Sequence, residues 1–358
     1  ERRMKYMRIE KEKKREKNTE IFEKERKESN CYDNVMPLLQ MSFCPGECLD
    51  SIKKMKEGSA KGIALAEYYY FSGQAEKAVK AVKKYLMSEQ EGIRLSACLI
   101  YAYANLFLGQ TVQTRWALAE IKNDLTVSDG KLVGAKFFIA SAAAVLLHLP
   151  MPKELPDLRE SLEELPVGLR AFAMYVQSHY LYLQKEYAKS LGIVEATLVM
   201  MTKEYPIPEI YLHLAAVMDC VNLRQPDQAR KHLLAAWKLA KPDDLIEGFG
   251  EHHGLLGGML EAVIKKEWPG DFKRIIAITY QFSDGWRKIH NPATGNDVAD
   301  NLTTTEFSVA MLAARGWTNQ EIGRHMNMSP NTVKHYISVI LQKLHINHRQ
   351  ELKRYMLQ

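Results

Sequence analysis

The chain has 358 residues, 46% of them hydrophobic and 26% charged, with a formal net charge of +6. That is the composition of an ordinary soluble protein, long enough for two or three domains with proper cores. The longest apolar stretch, around residues 137–149, is too short and alanine-rich to span a membrane and reads as a buried helix. No signal-peptide pattern opens the chain. Its five cysteines, Cys31, Cys44, Cys48, Cys98 and Cys220, form no disulfide framework and point to a reducing cytoplasm.

Residues 1–58 form a charged N-terminal segment. Lys11–Lys17 and Glu23–Glu28 interleave both signs with few apolar residues, the pattern of a solvated helix laced by i,i+4 pairs. The run Cys44-Pro-Gly-Glu-Cys48 has no second ligand pair, so it reads as a turn and not as a metal site.

Residues 59–289 read as helical repeats. Four segments share a pattern in which an apolar helix runs into a short polar turn and a second helix begins. Their turns fall at Gly73, Gly109, Lys185 and Arg224, with gaps of 36, 76 and 39 residues. The middle gap is close to two periods, and Leu149-Pro-Met-Pro152 lies near its midpoint. A period in the high thirties means stacked helix pairs, an α-solenoid whose concave groove suits a ligand or partner. Residues 290–301 are rich in Asn, Asp, Pro and Gly and read as a linker. A flexible dozen residues span on the order of 20 Å, which lets the C-terminal residues reorient against the repeats.

Residues 302–358 carry the densest signal. Thr303 stands three residues before Glu306, and Thr318 three before Glu321, both at capping-box spacing. Gly316 ends the first helix, and Ser329 followed by Pro330 opens the third. On a helical wheel Val333, Ile337, Ile340 and Leu344 fall on one side of that third helix. Asn331, Lys334, His335, Ser338 and Gln342 fall on the other. An apolar inner face and a polar outer face that begins at the N-terminal turn are what a groove-reading helix requires. A fourth helix comes after Asn347. The unit holds seven Lys or Arg residues against three glutamates, a balance that favours phosphate.

Other chemistry finds no support in the residues. No phosphate-binding loop, dinucleotide fingerprint, nucleophile elbow or zinc-protease motif occurs, so neither enzyme activity, nor a cofactor, nor a metal is expected. The adjacent pair His252-His253 points in two directions on a helix and makes a poor metal pair.

The terminal unit resembles the LuxR-type helix-turn-helix domain. The resemblance is carried, in order, by Leu302-Thr303, Glu306, Gly316, Asn319, Glu321-Ile322, Ser329, Thr332-Val333-Lys334, Ile340, Lys343-Leu344 and Arg349. It departs at Gly323, usually alanine, and at Tyr336, usually histidine. The resemblance implies that Lys334, His335 and Ser338, beside Asn331, face bases and nearby phosphates. It implies that Thr318, Asn319, Ser329, Thr332 and Lys343 lie along the phosphate backbone, and that Tyr355 and Met356 help form a homodimer on DNA. The repeats loosely resemble tetratricopeptide repeats.

Taken together these features describe an all-α cytoplasmic regulator of bacterial type. A tetratricopeptide-like α-solenoid would sense a small molecule, peptide or protein, and a four-helix domain would bind double-stranded DNA. Two alternatives remain: a helical-repeat interaction protein without DNA binding, or the C-terminal part of a larger ATP-dependent regulator resembling the maltose activator, whose ATPase would precede Glu1.

Overall fold

The computed structural model describes residues 32–126, 132–147, 162–290 and 302–356, which are helical with no β-strand among them. The charged segment up to Cys31, the Pro-rich turn at Leu149–Pro152 and linker residues 291–301 lie outside the described residues. No described helix is long and apolar enough to cross a membrane.

After a short helix α1 (Cys48–Lys54), the chain builds antiparallel helix pairs: α2 (Ser59–Phe71) with α3 (Ala75–Val82), and α4 (Glu91–Phe107) with α5 (Thr111–Thr126). Helix α6 (Val133–Leu146) precedes two more pairs. These are α7 (Val167–Leu183) with α8 (Tyr187–Met200), and α9 (Pro206–Asn222) with α10 (Pro226–Ala240). The first helix of a pair is the more buried, most fully in α4 and α9; in α4 every residue from Leu95 to Phe107 is buried. The second is more exposed, with only Ser190 and Val194 buried in α8. In α10 the buried positions are Ala229, Leu233, Ala236, Trp237 and Ala240, one stripe at helical spacing. The alanine-rich stretch expected to be a buried helix is α6, buried from Gly134 to Leu146.

The four turns that align in the sequence have one geometry. Gly73, Gly109, Lys185 and Arg224 take left-handed φ angles of 72°, 67°, 62° and 59°. In each turn the next residue's N–H donates to a carbonyl five residues back: Gln74 to Tyr69 at 2.7 Å, Gln110 to Asn105 at 2.8 Å, Glu186 to Leu181 at 2.9 Å and Gln225 to Cys220 at 2.8 Å. This bond closes the last helical turn and satisfies carbonyls that would otherwise be orphaned. A non-glycine residue pays about 1 kcal/mol for that conformation. Lys185 and Arg224 show that the closing bonds hold it in place even without glycine.

The array then turns back on itself. Asp243, just after α10, accepts from the N–H groups of Gly46 at 2.6 Å and Cys48 at 2.9 Å, which ties the start of the array to its end. A short helix α11 (Glu247–Glu251) enters the middle, and a π-helical turn (Leu260–Ile264) comes next. The long helix α12 (Pro269–His290) lies across α4, so close that a Cβ on Gly285 would meet the Leu106 carbonyl. The expected open groove is therefore largely filled. Tyr70, Tyr103, Phe172, Tyr175 and Tyr211 pack edge to face in its place.

Candidate nucleic-acid interface

Three helices with defined ends build the C-terminal unit. Helix α13 (Thr304–Ala314) starts at Thr303, whose Oγ1 accepts from the Glu306 N–H at 3.3 Å while Glu306 accepts the Thr303 N–H at 2.7 Å. Helix α14 (Asn319–Met326) repeats the arrangement with Thr318 and Glu321, at 3.2 and 2.6 Å. Helix α15 (Pro330–Lys343) is capped by Ser329, whose Oγ accepts from the Thr332 N–H at 3.0 Å. Both capping boxes and the Ser-Pro start sit where the sequence spacing puts them. The turn between α14 and α15 is tight: Asn327 is left-handed, and a Cβ on Gly323 would come within 2.6 Å of the Met328 carbonyl oxygen. The departure from alanine at this position thus has a steric basis. A short helix α16 (Leu352–Met356) buries Leu352 and Met356 against α13, so Met356 lies in the unit's own core.

On α15, Val333, Ile337 and Ile340 are buried. Asn331, Thr332, Lys334, His335, Ser338 and Gln342 are exposed on the opposite side, and the Ser338 hydroxyl donates to the Lys334 carbonyl at 3.1 Å. Thr318 and Ser329 are also exposed, at the starts of α14 and α15.

Two residues expected along the phosphate backbone have partners inside the unit. Lys343 donates to both oxygens of Glu306, at 2.9 and 2.7 Å. Burial alone would raise the Glu306 carboxyl, but Lys343 and the Thr303 cap together hold it below its ordinary value. Asn319 accepts from the Arg349 guanidinium, which also donates to the Trp317 carbonyl.

All three glutamates of the unit are spent on backbone N–H groups. Glu306 and Glu321 close capping boxes, and Glu351 accepts from the His348 N–H at 2.7 Å. None lies on the α15 face, which among the described residues carries Lys334 and the His335 imidazole and no carboxylate.

The unit is docked against the repeat region. The His325 Nε2–H donates to the Gly257 carbonyl at 2.8 Å, and Arg315 donates to the Tyr182 hydroxyl at 3.2 Å. Ser308 donates to Glu261 at 3.3 Å, and the same Glu261 oxygen lies 2.9 Å from His253 Nε2. Gly257 and Gly258 are left-handed, at φ 58° and 80°; a Cβ on Gly257 would clash with Val221 of α9 at 2.6 Å, and one on Gly258 would press on Met326 at 3.1 Å. Docking therefore uses α13 and α14, and none of the described residues covers the outward side of α15.

Arg224 is the residue sequence reasoning missed. It is the left-handed end of a repeat turn, yet its guanidinium bonds Glu321 at 3.0 Å and the Gly316 carbonyl at 3.2 Å, and it stacks over the buried Trp317 ring at 5.8 Å. Nothing in the sequence relates residue 224 to residue 321. The only advance signal is an arginine at a turn position that glycine fills in two of the other three turns.

Residues 300–356 match the family described as bacterial regulatory proteins, luxR family. Comparison with curated proteins and with solved structures finds no match. By helix geometry and by this match, residues 300–356 are a helix-turn-helix unit similar to that of the luxR family of bacterial regulatory proteins.

Proposed function

We propose that the chain is a sequence-specific, DNA-binding transcription regulator whose helical array senses a ligand or partner. In this reading α15 enters the major groove. Asn331, Lys334, His335 and Ser338 meet base edges and adjacent phosphates, while Thr318, Ser329 and Thr332 hydrogen-bond the phosphate backbone at two helix starts. Asn319 and Lys343 contribute secondarily, since each is already engaged by Arg349 and by Glu306. A single unit makes few phosphate contacts, so two copies act together on a two-fold site.

One observation carries the reading. Among the described residues the α15 face is polar, carries no carboxylate and is left uncovered by the docking against the repeats. The test is a gel shift with duplex DNA at increasing salt, on the intact chain and on a Lys334→Ala/His335→Ala variant. A regulator shows affinity that falls steeply with salt, and the variant loses it. Undiminished binding by the variant sinks the groove assignment, and no duplex binding at low salt leaves a helical-repeat interaction protein instead.

A further inference from the structure

A cleft of about 320 Å³ opens where the C-terminal unit docks on the array. Arg224 and Asp227 line it from the array, and Trp317, Glu321, Arg324 and His325 line it from the unit. Its volume falls at the lower end of the range for small-molecule sites, about 300–1,000 Å³. The Arg224–Glu321 ion pair, at 3.0 Å, crosses from one wall to the other. Three residues further along each wall stand Asp227, in the first turn of α10, and Arg324, in the last turn of α14. On α14 residues three apart share a face, so Arg324 lies beside Glu321. This second couple repeats the first with its signs exchanged, but it is not closed. Asp227 and Arg324 are both exposed, and among the described residues neither forms an ion pair.

His325 supplies a third polar group and is only 7% exposed. Its Nε2 lies 2.8 Å from the Gly257 carbonyl, which can only accept. Nε2 therefore carries the hydrogen, and Nδ1 is a bare acceptor. Nδ1 is buried and has no hydrogen-bond partner among the described residues. A buried acceptor without a donor is costly, so this one favours a molecule that brings an N–H or O–H. Asp227 and Arg324 each also suit the helix terminus they occupy, but that does not give Nδ1 a donor. The two open charges are opposite in sign and stand one on each wall. A phosphate or a nucleotide would face Asp227, and a simple amine would face Arg324. A molecule with one ammonium and one carboxylate suits both, and the Trp317 ring, its centroid 5.0 Å from that of the imidazole, adds apolar surface.

We propose that this cleft binds a free α-amino acid, its carboxylate on Arg324 and its ammonium between Asp227 and the Nδ1 of His325. The proposal rests on the reading of the chain as a ligand-sensing regulator and names the class of ligand. It also gives the ligand a direct hold on the output. Asp227 belongs to the array, and Arg324 and His325 belong to the DNA-binding unit. A molecule that touches both favours the docked arrangement over any in which the two parts separate.

The test is calorimetric titration of the intact chain, without DNA, with each of the twenty common L-amino acids. A molecule of about ten non-hydrogen atoms held by exposed charges gives a Kd on the order of 1 mM, so each titration runs to about 20 mM or to the solubility limit. The expected result is saturable binding of at least one of them. The corresponding amine and carboxylic acid, each lacking one of the two charged groups, do not bind. Arg324→Gln and Asp227→Asn, which remove exposed side chains that no ion pair holds, each weaken binding at least tenfold. Bound amino acid slows hydrogen exchange in α14 and in residues 252–264. No saturable binding by any of the twenty, binding that either variant retains, or equal binding of the carboxylic acid overturns the proposal. Gel shifts without amino acid stand apart from this result. Amino-acid binding without DNA binding would sink the regulator and keep the site; the converse would do the reverse.

Discussion

His325, in the second helix of the C-terminal unit, donates its Nε2–H to the carbonyl of Gly257 in the repeat region, 2.8 Å away. The contact is buried and lies among Met326, Leu312 and Trp317, so the two parts of the chain share a continuous packed surface. Linker length alone suggests a unit free to reorient. The contacts instead define one docked arrangement, which any signal from the array has to work through or break.

Removing this contact loosens the docking. In His325→Ala the Gly257 carbonyl loses its buried donor, at about 1–3 kcal/mol. Hydrogen exchange should rise in α14 and in residues 252–264 while α9 stays protected. Unchanged exchange across both segments would show that the docking does not depend on this bond.

Acid has the same direction of effect. Burial lowers the His325 pKa, against the opposing pull of the Gly257 carbonyl. The unfolded imidazole, with its ordinary value of about 6.5, therefore takes a proton before the folded one does. The docked state keeps its full stability above that value and loses it as pH falls below. Protection factors in α14, corrected for the intrinsic pH dependence of amide exchange, should fall from pH 7 to pH 5.5, and His325→Gln should flatten the response.

Lys343 separates two roles. If it mainly braces the unit through Glu306, a double-mutant cycle with Glu306→Gln gives a coupling of up to about 1 kcal/mol, a modest figure because the lysine is about one-third exposed to screening solvent. The salt dependence of DNA affinity then hardly changes in Lys343→Ala. A salt slope lowered by about one unit would make it a phosphate contact instead.

Gly323→Ala tests the turn. Alanine favours a helix by about 1 kcal/mol over glycine. Here its Cβ would meet the Met328 carbonyl oxygen, part of a backbone that does not move aside cheaply. The substitution should lower the unit's melting temperature despite the better propensity, and a rise would show that the turn relaxes.

The array interior gives a pH dependence of opposite sign. Glu67 is fully buried and accepts from the N–H groups of Leu38 and Leu39 at 2.8 and 2.9 Å, yet burial dominates and raises its carboxyl to about 8. Between about 4.5 and 8 the folded chain keeps a proton that the unfolded chain has lost, so stability is complete below that window and falls as pH rises through it. The melting temperature of Glu67→Gln should decline less than that of the unaltered chain between pH 5 and pH 8.

Local chemistry was legible from the residues and long-range closure was not. Thr303, Thr318 and Ser329 announce their helix starts because a cap is a relation over three residues. The repeat turns were readable because Gly73, Gly109, Lys185 and Arg224 end helices in the same way. Asp243 holding Gly46 and Cys48, α12 lying on α4, and Arg224 reaching Glu321 join residues between 97 and 197 positions apart. No periodicity encodes such pairs. Lys343 and Asn319 look from sequence like phosphate ligands, because a charged or amide side chain does not reveal that Glu306 or Arg349 already holds it.

The open face of α15 is where duplex DNA is read, if the chain is the regulator proposed. The most direct test is selection of bound duplexes from a random pool by the intact chain. Affinity for the selected sequence is then measured for the unaltered chain and for Lys334→Ala/His335→Ala. The expected result is a single preferred two-fold sequence, bound at least roughly a hundredfold more tightly than random DNA, with that preference lost in the variant. Enrichment of no sequence, or a preference the variant retains, would contradict it.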